Sequence, residues 1–145
     1  MKKIIVICTG NTCRSPMAEG IINKFLKDNK VQDVSVSSMG LSAYDGDGAS
    51  ANAIEVLDEI GIDIREHRSK RVMIKDIYEA DRIYVMTLQH KNVILESCND
   101  KEIENKIVVV DVPDPFGQDI SRYRICRDYM LTFIENELKE YMKKS

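Results

Sequence analysis

Ile4-Ile5-Val6-Ile7-Cys8-Thr9-Gly10-Asn11-Thr12-Cys13-Arg14-Ser15-Pro16 is an apolar, β-branched run that ends in a cysteine, crosses a polar loop and enters a helix. Continuous Ile and Val without polar alternation predict a buried parallel strand over residues 2–7. Ser15 reads as a helix N-cap and Pro16 as the first helical residue, where its missing N–H costs nothing. Ala18, Ile21, Ile22, Phe25 and Leu26 then recur at helical spacing, and the helix is expected to end near Asn29. A strand that feeds a polar loop into a helix N-terminus gathers backbone amides at one spot, which makes an anion site. A thiol at the head of that loop is drawn toward thiolate by the same field. The stretch therefore reads as a nucleophile beneath a bound oxyanion.

The rest of the chain supplies the frame. Val31–Ser38 predicts a second strand, followed by a surface loop around Gly40, Gly46 and Gly48. Ala53, Val56, Leu57 and Ile60 predict a helix with Gly61 at its C-cap. Residues 62–75 are a polar, basic connection followed by a short helical turn. Arg82–Met86 is a third strand, Thr87 caps a helix to about Ser97, and Lys106–Val110 is a fourth strand. Val112-Pro113-Asp114-Pro115-Phe116-Gly117 is too proline-rich for either element. From Ile120, the residues Tyr123, Cys126, Met130, Ile134 and Leu138 define a long last helix. Strands alternating with helices imply an α/β three-layer sandwich over residues 1–145, a single domain with a four-stranded parallel sheet and helices on both faces, Rossmann-like. Ligands in such sheets bind at the carboxyl ends of the strands. The loops carrying Cys8 and Asp114 both leave strands at that edge.

Composition narrows the classes. A formal charge of −3 argues against nucleic acid as partner. The apolar run Ile4–Ile7 is too short for a signal-peptide core or a membrane span, so a cytoplasmic protein without membrane attachment is expected, as a monomer. Cys8, Cys13, Cys98 and Cys126 include no Cys-x-x-Cys, and His67 and His90 lie far apart, so neither a metal site nor a cofactor is expected.

Cys8 and Arg14 stand in Cys-x5-Arg register, a weak signal alone that the strand before and the helix after make specific. Phosphate held by the loop from Thr9 through Gly10, Asn11, Thr12 and Cys13 to Ser15 would also accept a bidentate guanidinium from Arg14. Cys8 sulfur would then lie in line for displacement, giving a phosphocysteine, and Ser15 would steady the departing thiolate. The leaving group needs a proton, and Asp114 is the candidate acid; the same carboxylate would next activate water. Standing alone, Asp114 would read as an ordinary Asp-Pro turn. Tyr44 and Phe116 read as pocket walls, His90 as a solvated helix residue, and Cys98 and Cys126 as fillers. Cys13 is read two ways: a redox partner able to form a reversible disulfide with Cys8, or a small side chain packed under the loop.

Cys8-Thr-Gly-Asn-Thr-Cys-Arg-Ser-Pro-Met-Ala-Glu19 together with Asp114-Pro-Phe-Gly117 resembles the low-molecular-weight protein tyrosine phosphatase family over nearly the whole chain. The resemblance implies a metal-independent phosphomonoesterase acting on phosphorylated protein side chains. It assigns Cys8 as nucleophile, Arg14 as phosphate binder and Asp114 as acid. It also implies a hydrogen-bond network of Asn11, Ser15, Ser38 and His67 that supports the loop. Met39 before Gly40 departs from the family's small residues there. Thr12 replaces a branched aliphatic residue, and Phe116-Gly117 replaces a tyrosine pair, both similar to the bacterial protein-arginine phosphatase branch; Tyr44 falls where tyrosine-selective relatives place an aromatic wall. The reading leans to phosphoarginine over phosphotyrosine. Two rivals are an arsenate reductase, which would want a further cysteine pair near residues 80–90, and a non-catalytic phosphopeptide-binding module, which would need no nucleophile or acid.

Overall fold

The structure is a computed structural model and describes residues 1–143. In chain order it runs β1 (Lys2–Cys8), α1 (Arg14–Asp28), β2 (Val34–Gly40), α2 (Ala51–Asp58), α3 (Ile74–Glu79), β3 (Arg82–Val85), α4 (Leu88–Ser97), α5 (Lys101–Lys106), β4 (Ile107–Val109) and α6 (Ile120–Lys143). The four strands form one parallel sheet in the order β2-β1-β3-β4. No helix among the described residues is long and apolar enough to cross a membrane.

β1 is central and explains its own composition. Ile4 and Val6 face a core shared with Met17, Ile22, Leu57, Met130 and Ile134 of α1, α2 and α6. Ile5 and Ile7 face a second core with Ile77, Ile83, Ile94 and Ile103. Both faces are covered, so polar alternation has no place in this strand. Each buried aliphatic side chain contributes about 1.5–3 kcal/mol, so the strand under the loop is among the best-anchored parts of the molecule. On the outer layer Glu59, just past α2, accepts from Arg127 Nη1 at 2.6 Å and Arg124 Nη2 at 2.8 Å, which ties α2 to α6.

The sequence reading differs at several boundaries. β2 begins at Val34 rather than Val31, because Val31 N–H donates to Leu26 O at 2.9 Å in the turn that ends α1, with Lys30 at φ +56°. It continues through Met39 and Gly40, paired in register with Ile7 and Cys8. Met39 is buried in the second core, and a Cβ on Gly40 would stand 2.6 Å from Thr9 O and 3.0 Å from Asn11 N. The backbone of β2 thus lies against the Cys8 loop, and only glycine fits at its end. β4 spans only Ile107–Val109, and α5, capped by Asp100 accepting from Glu102 N–H, occupies polar residues that carry no apolar periodicity. Gly61, at φ +78°, follows α2 as expected.

Candidate active site

The loop between β1 and α1 is held from several sides. Leu41 N–H donates to Cys8 O, Ser42 N–H to Thr9 O and Ser50 N–H to Thr12 O, each at 2.8–2.9 Å. Helix α1 starts at Arg14, two residues earlier than the sequence suggests, and no side chain caps it. Ser15 is therefore not the N-cap; its hydroxyl is engaged elsewhere. Uncapped first-turn amides are what an anion site requires.

Asn11 is the keystone. It is fully buried and sits at φ +59°, a left-handed conformation that costs about 1–2 kcal/mol for most side chains but less for Asn. Lys70 N–H donates to Asn11 Oδ1 at 2.8 Å, which fixes the amide's orientation and turns Nδ2 to Ser15 Oγ at 2.8 Å and Ser38 Oγ at 3.0 Å. His67 Nε2 lies 2.7 Å from Asn11 O; a carbonyl can only accept, so Nε2 carries the proton. At about 1 kcal/mol net per bond, this set outweighs the backbone strain. Because Ser15 Oγ accepts from Asn11, its own proton is free to donate to Cys8 Sγ, 2.8 Å away. Asn11 N–H donates to the same sulfur at 3.2 Å. The sulfur thus receives two hydrogen bonds, which fix its position at the head of the loop.

Arg14, 4% exposed, donates from Nη1 to Val112 O at 2.9 Å, and its Nη2 is 3.8 Å from Asp114 Oδ2. Val112 N–H in turn donates to Met86 O at 2.8 Å, so β3 carries the Asp114 loop to the Cys8 loop. Asp114 Oδ1 accepts from Phe116 N–H at 3.0 Å, turning the carboxylate back over its own loop. A cavity of about 300 Å³ results, with Cys8, Arg14 and Asp114 in its lining together with Thr9, Gly10, Thr12 and Cys13. Tyr44 and Phe116 stand at its sides, 81% and 70% exposed. All these predicted residues meet in one place. Asn11, Ser15, Ser38 and His67 form the support beneath.

A family profile described as low molecular weight phosphotyrosine protein phosphatase matches residues 3–145. The chain belongs to this family. Among its relatives, a protein-arginine-phosphatase of Geobacillus stearothermophilus is 39% identical, the match covering 92% of this chain and 91% of the relative. One of Bacillus subtilis is 35% identical over 97% of each. An arsenate reductase of Staphylococcus aureus is 32% identical over 93% of this chain and 95% of its own. In structure, the YwlE arginine phosphatase of Geobacillus stearothermophilus superposes with a TM-score of 0.88 at 34% identity, covering 99% of this chain and 95% of that one. A low molecular weight protein tyrosine phosphatase from T. tengcongensis gives 0.89 at 34% identity, over 97% and 99%.

The cysteines divide by position. All four are free thiols. Cys13 Sγ is 3.5 Å from Ser50 Oγ and 3.5 Å from Tyr123 OH, and burial together with this thiol contact pushes the Tyr123 phenol up to about 12. Cys98 is buried in the core on the other face of the sheet. Cys126 lies in the same core as Cys8, its thiol pushed up to about 12 by burial, which favours the protonated form.

His90 corrects the sequence reading. It is not solvated but 6% exposed, with Nε2 2.9 Å from Thr9 Oγ1 and Nδ1 3.2 Å from Thr87 Oγ1. Burial, then the nearby Arg14 charge, lowers its pKa, which favours the neutral ring. The signal was present in Thr87-x-x-His90, which follows β3 at the same sheet edge as Cys8. A lone His on a polar helix gave no reason to use it. His90 ties the second residue of the phosphatase loop to the β3 edge. Thr9→Val and His90→Ala are each expected to lower kcat on p-nitrophenyl phosphate by about 3- to 10-fold, the worth of one buried hydrogen bond. The double variant should lose little more than either alone, which a double-mutant cycle measures.

Proposed function

We propose that the protein is a protein-arginine phosphatase that works through a phosphocysteine at Cys8. With the phosphoryl group under the loop amides and Arg14, Cys8 sulfur attacks phosphorus and the P–N bond to the guanidino group breaks. Asp114 gives its proton to the leaving nitrogen. Water, deprotonated by the same carboxylate, then attacks phosphorus; the P–S bond breaks, phosphate leaves, and the thiolate returns to Ser15 and Asn11. Charge spreading over the equatorial oxygens meets preformed donors, so stabilisation needs little reorganisation. Within this reading the protein acts as a cytoplasmic monomer.

The observation that carries the arginine reading is Thr12, a hydroxyl-bearing residue, in the cavity lining. A polar, charged phosphoguanidinium tolerates a hydroxyl where a phenyl ring is better served by a methyl group. The two relatives named for arginine phosphatase activity support it. Tyrosine selectivity is the second reading, favoured by the exposed Tyr44 and Phe116 beside the cavity and by a Staphylococcus haemolyticus relative, 34% identical, named as a protein-tyrosine-phosphatase. Arsenate reduction fits less well: Cys98 sits in the opposite core, away from Cys8 and Cys13. A binding module has no use for Cys8 and Asp114 in one cavity.

The test compares kcat/KM on phosphoarginine and phosphotyrosine peptides for the wild-type protein and Thr12→Ile. Wild type is expected to prefer phosphoarginine by at least about 10-fold, and Thr12→Ile to cut that preference by about 10-fold, the scale of one mismatched side-chain contact. Preference for phosphotyrosine in the wild type contradicts the arginine reading. An unchanged ratio in Thr12→Ile removes the role given to Thr12.

A further inference from the structure

The cavity holds a charge that a phosphate site alone does not explain. Asp47 lines it, on the segment between β2 and α2, together with Asp114 from the loop after β4. Its backbone is fixed: Asp47 N–H donates to Ser69 Oγ at 2.9 Å, and Ser69 N–H donates to Asp47 O at 2.6 Å. Its carboxylate makes no hydrogen bond or ion pair among the described residues. The neighbouring acids differ. Asp45 Oδ1 accepts from Arg71 N–H at 3.0 Å, and Asp114 faces Arg14 and Phe116 N–H.

An unpaired carboxylate beside a cavity that takes a phosphate dianion repels the ligand, and Arg14 is already partly matched by Asp114. A phenyl phosphate brings nothing to offset that repulsion. A phosphorylated arginine brings its own cation, one bond from phosphorus, with N–H groups that point away from the phosphoryl group. Those N–H groups are donors for a carboxylate, and a guanidinium matches two oxygens at once.

We infer that Asp47 is a specificity-determining residue, the carboxylate that receives the guanidinium of the phosphorylated side chain while the Cys8 loop holds its phosphoryl group. This rests on the phosphoarginine reading above. Asp47 contributes binding to the guanidinium and Asp114 proton transfer to the leaving nitrogen, and a substrate without a cation is disfavoured by the Asp47 charge. Removing the Asp47 charge then has effects of opposite sign on the two substrate classes, which a loop merely loosened by mutation cannot give.

The experiment measures kcat/KM of wild type and Asp47→Asn on two substrates: a phosphoarginine with both termini blocked, so that its side chain carries the sole cation, and p-nitrophenyl phosphate. Asp47→Asn keeps the shape of the side chain and removes its charge. Turnover of the blocked phosphoarginine is expected to fall about 5- to 20-fold, as for loss of a charge-assisted hydrogen bond, while p-nitrophenyl phosphate turnover rises. Equal changes on both substrates overturn the assignment. So does a loss confined to peptides with a flanking lysine or arginine, which would place the contact outside the phosphorylated side chain. A wild-type protein that hydrolyses p-nitrophenyl phosphate and phosphotyrosine but not the blocked phosphoarginine fails the underlying reading as well. Phosphoarginine activity unaffected by Asp47→Asn fails this inference alone.

Discussion

The Cys8→Ser protein is expected to fold as the wild type does and to lose at least about 10,000-fold in kcat on p-nitrophenyl phosphate. The substitution replaces one atom at a position 3% exposed, between donors that an alkoxyl oxygen can also accept, so little packing is lost. What changes is nucleophilicity. A serine hydroxyl needs a base to remove its proton, and the groups that hydrogen-bond this position are the Ser15 hydroxyl and the Asn11 amide, both donors. Retention of inorganic phosphate binding alongside loss of turnover separates a missing nucleophile from a collapsed loop. Turnover within about 10-fold of wild type, measured by release of p-nitrophenol, would remove Cys8 from the mechanism.

Asp114→Asn should show an effect that depends on the leaving group. With a phosphorylated alkyl or guanidino group, kcat is expected to fall about 100- to 1,000-fold, because departure needs the proton. p-Nitrophenolate leaves without help, so the first step stays fast while hydrolysis of the phosphoenzyme slows. Stopped-flow measurement should then show a burst of about one equivalent of p-nitrophenol before a slow steady state, the kinetic sign of a covalent intermediate. Loss by the same factor for every leaving group, with no burst, would reduce Asp114 to its visible contact with Arg14 at 3.8 Å.

The parts of this site that could be read from the sequence are those tied to the first strand and its loop. Ile4–Ile7 without alternation requires a strand covered on both faces, and the sheet rule then sends the loops of Cys8 and Asp114 to one edge. That is why residues about a hundred apart in sequence could be paired in advance. Ser15 has the composition of a helix cap, yet α1 starts before it because Asn11 and Cys8 claim its hydroxyl. His90 differs from its sequence pattern for a related reason. Its helix is polar, and only the approach of Thr9 shows that one of its sides is buried. Asp47 carries no pattern at all, lying among Gly and Asp in a loop whose path is set by Ser69 and Arg71 from another part of the chain. Long-range hydrogen bonds of this kind leave no periodicity behind them.

A rapid denaturing quench of the wild-type protein during turnover of a phosphoarginine peptide, followed by digestion and mass mapping, tests the central claim most directly. The expected result is a phosphoryl group on Cys8, formed before free phosphate and lost as free phosphate accumulates. Free phosphate released with no phosphorylated protein at any time, or a phosphoryl group on another residue, would contradict it.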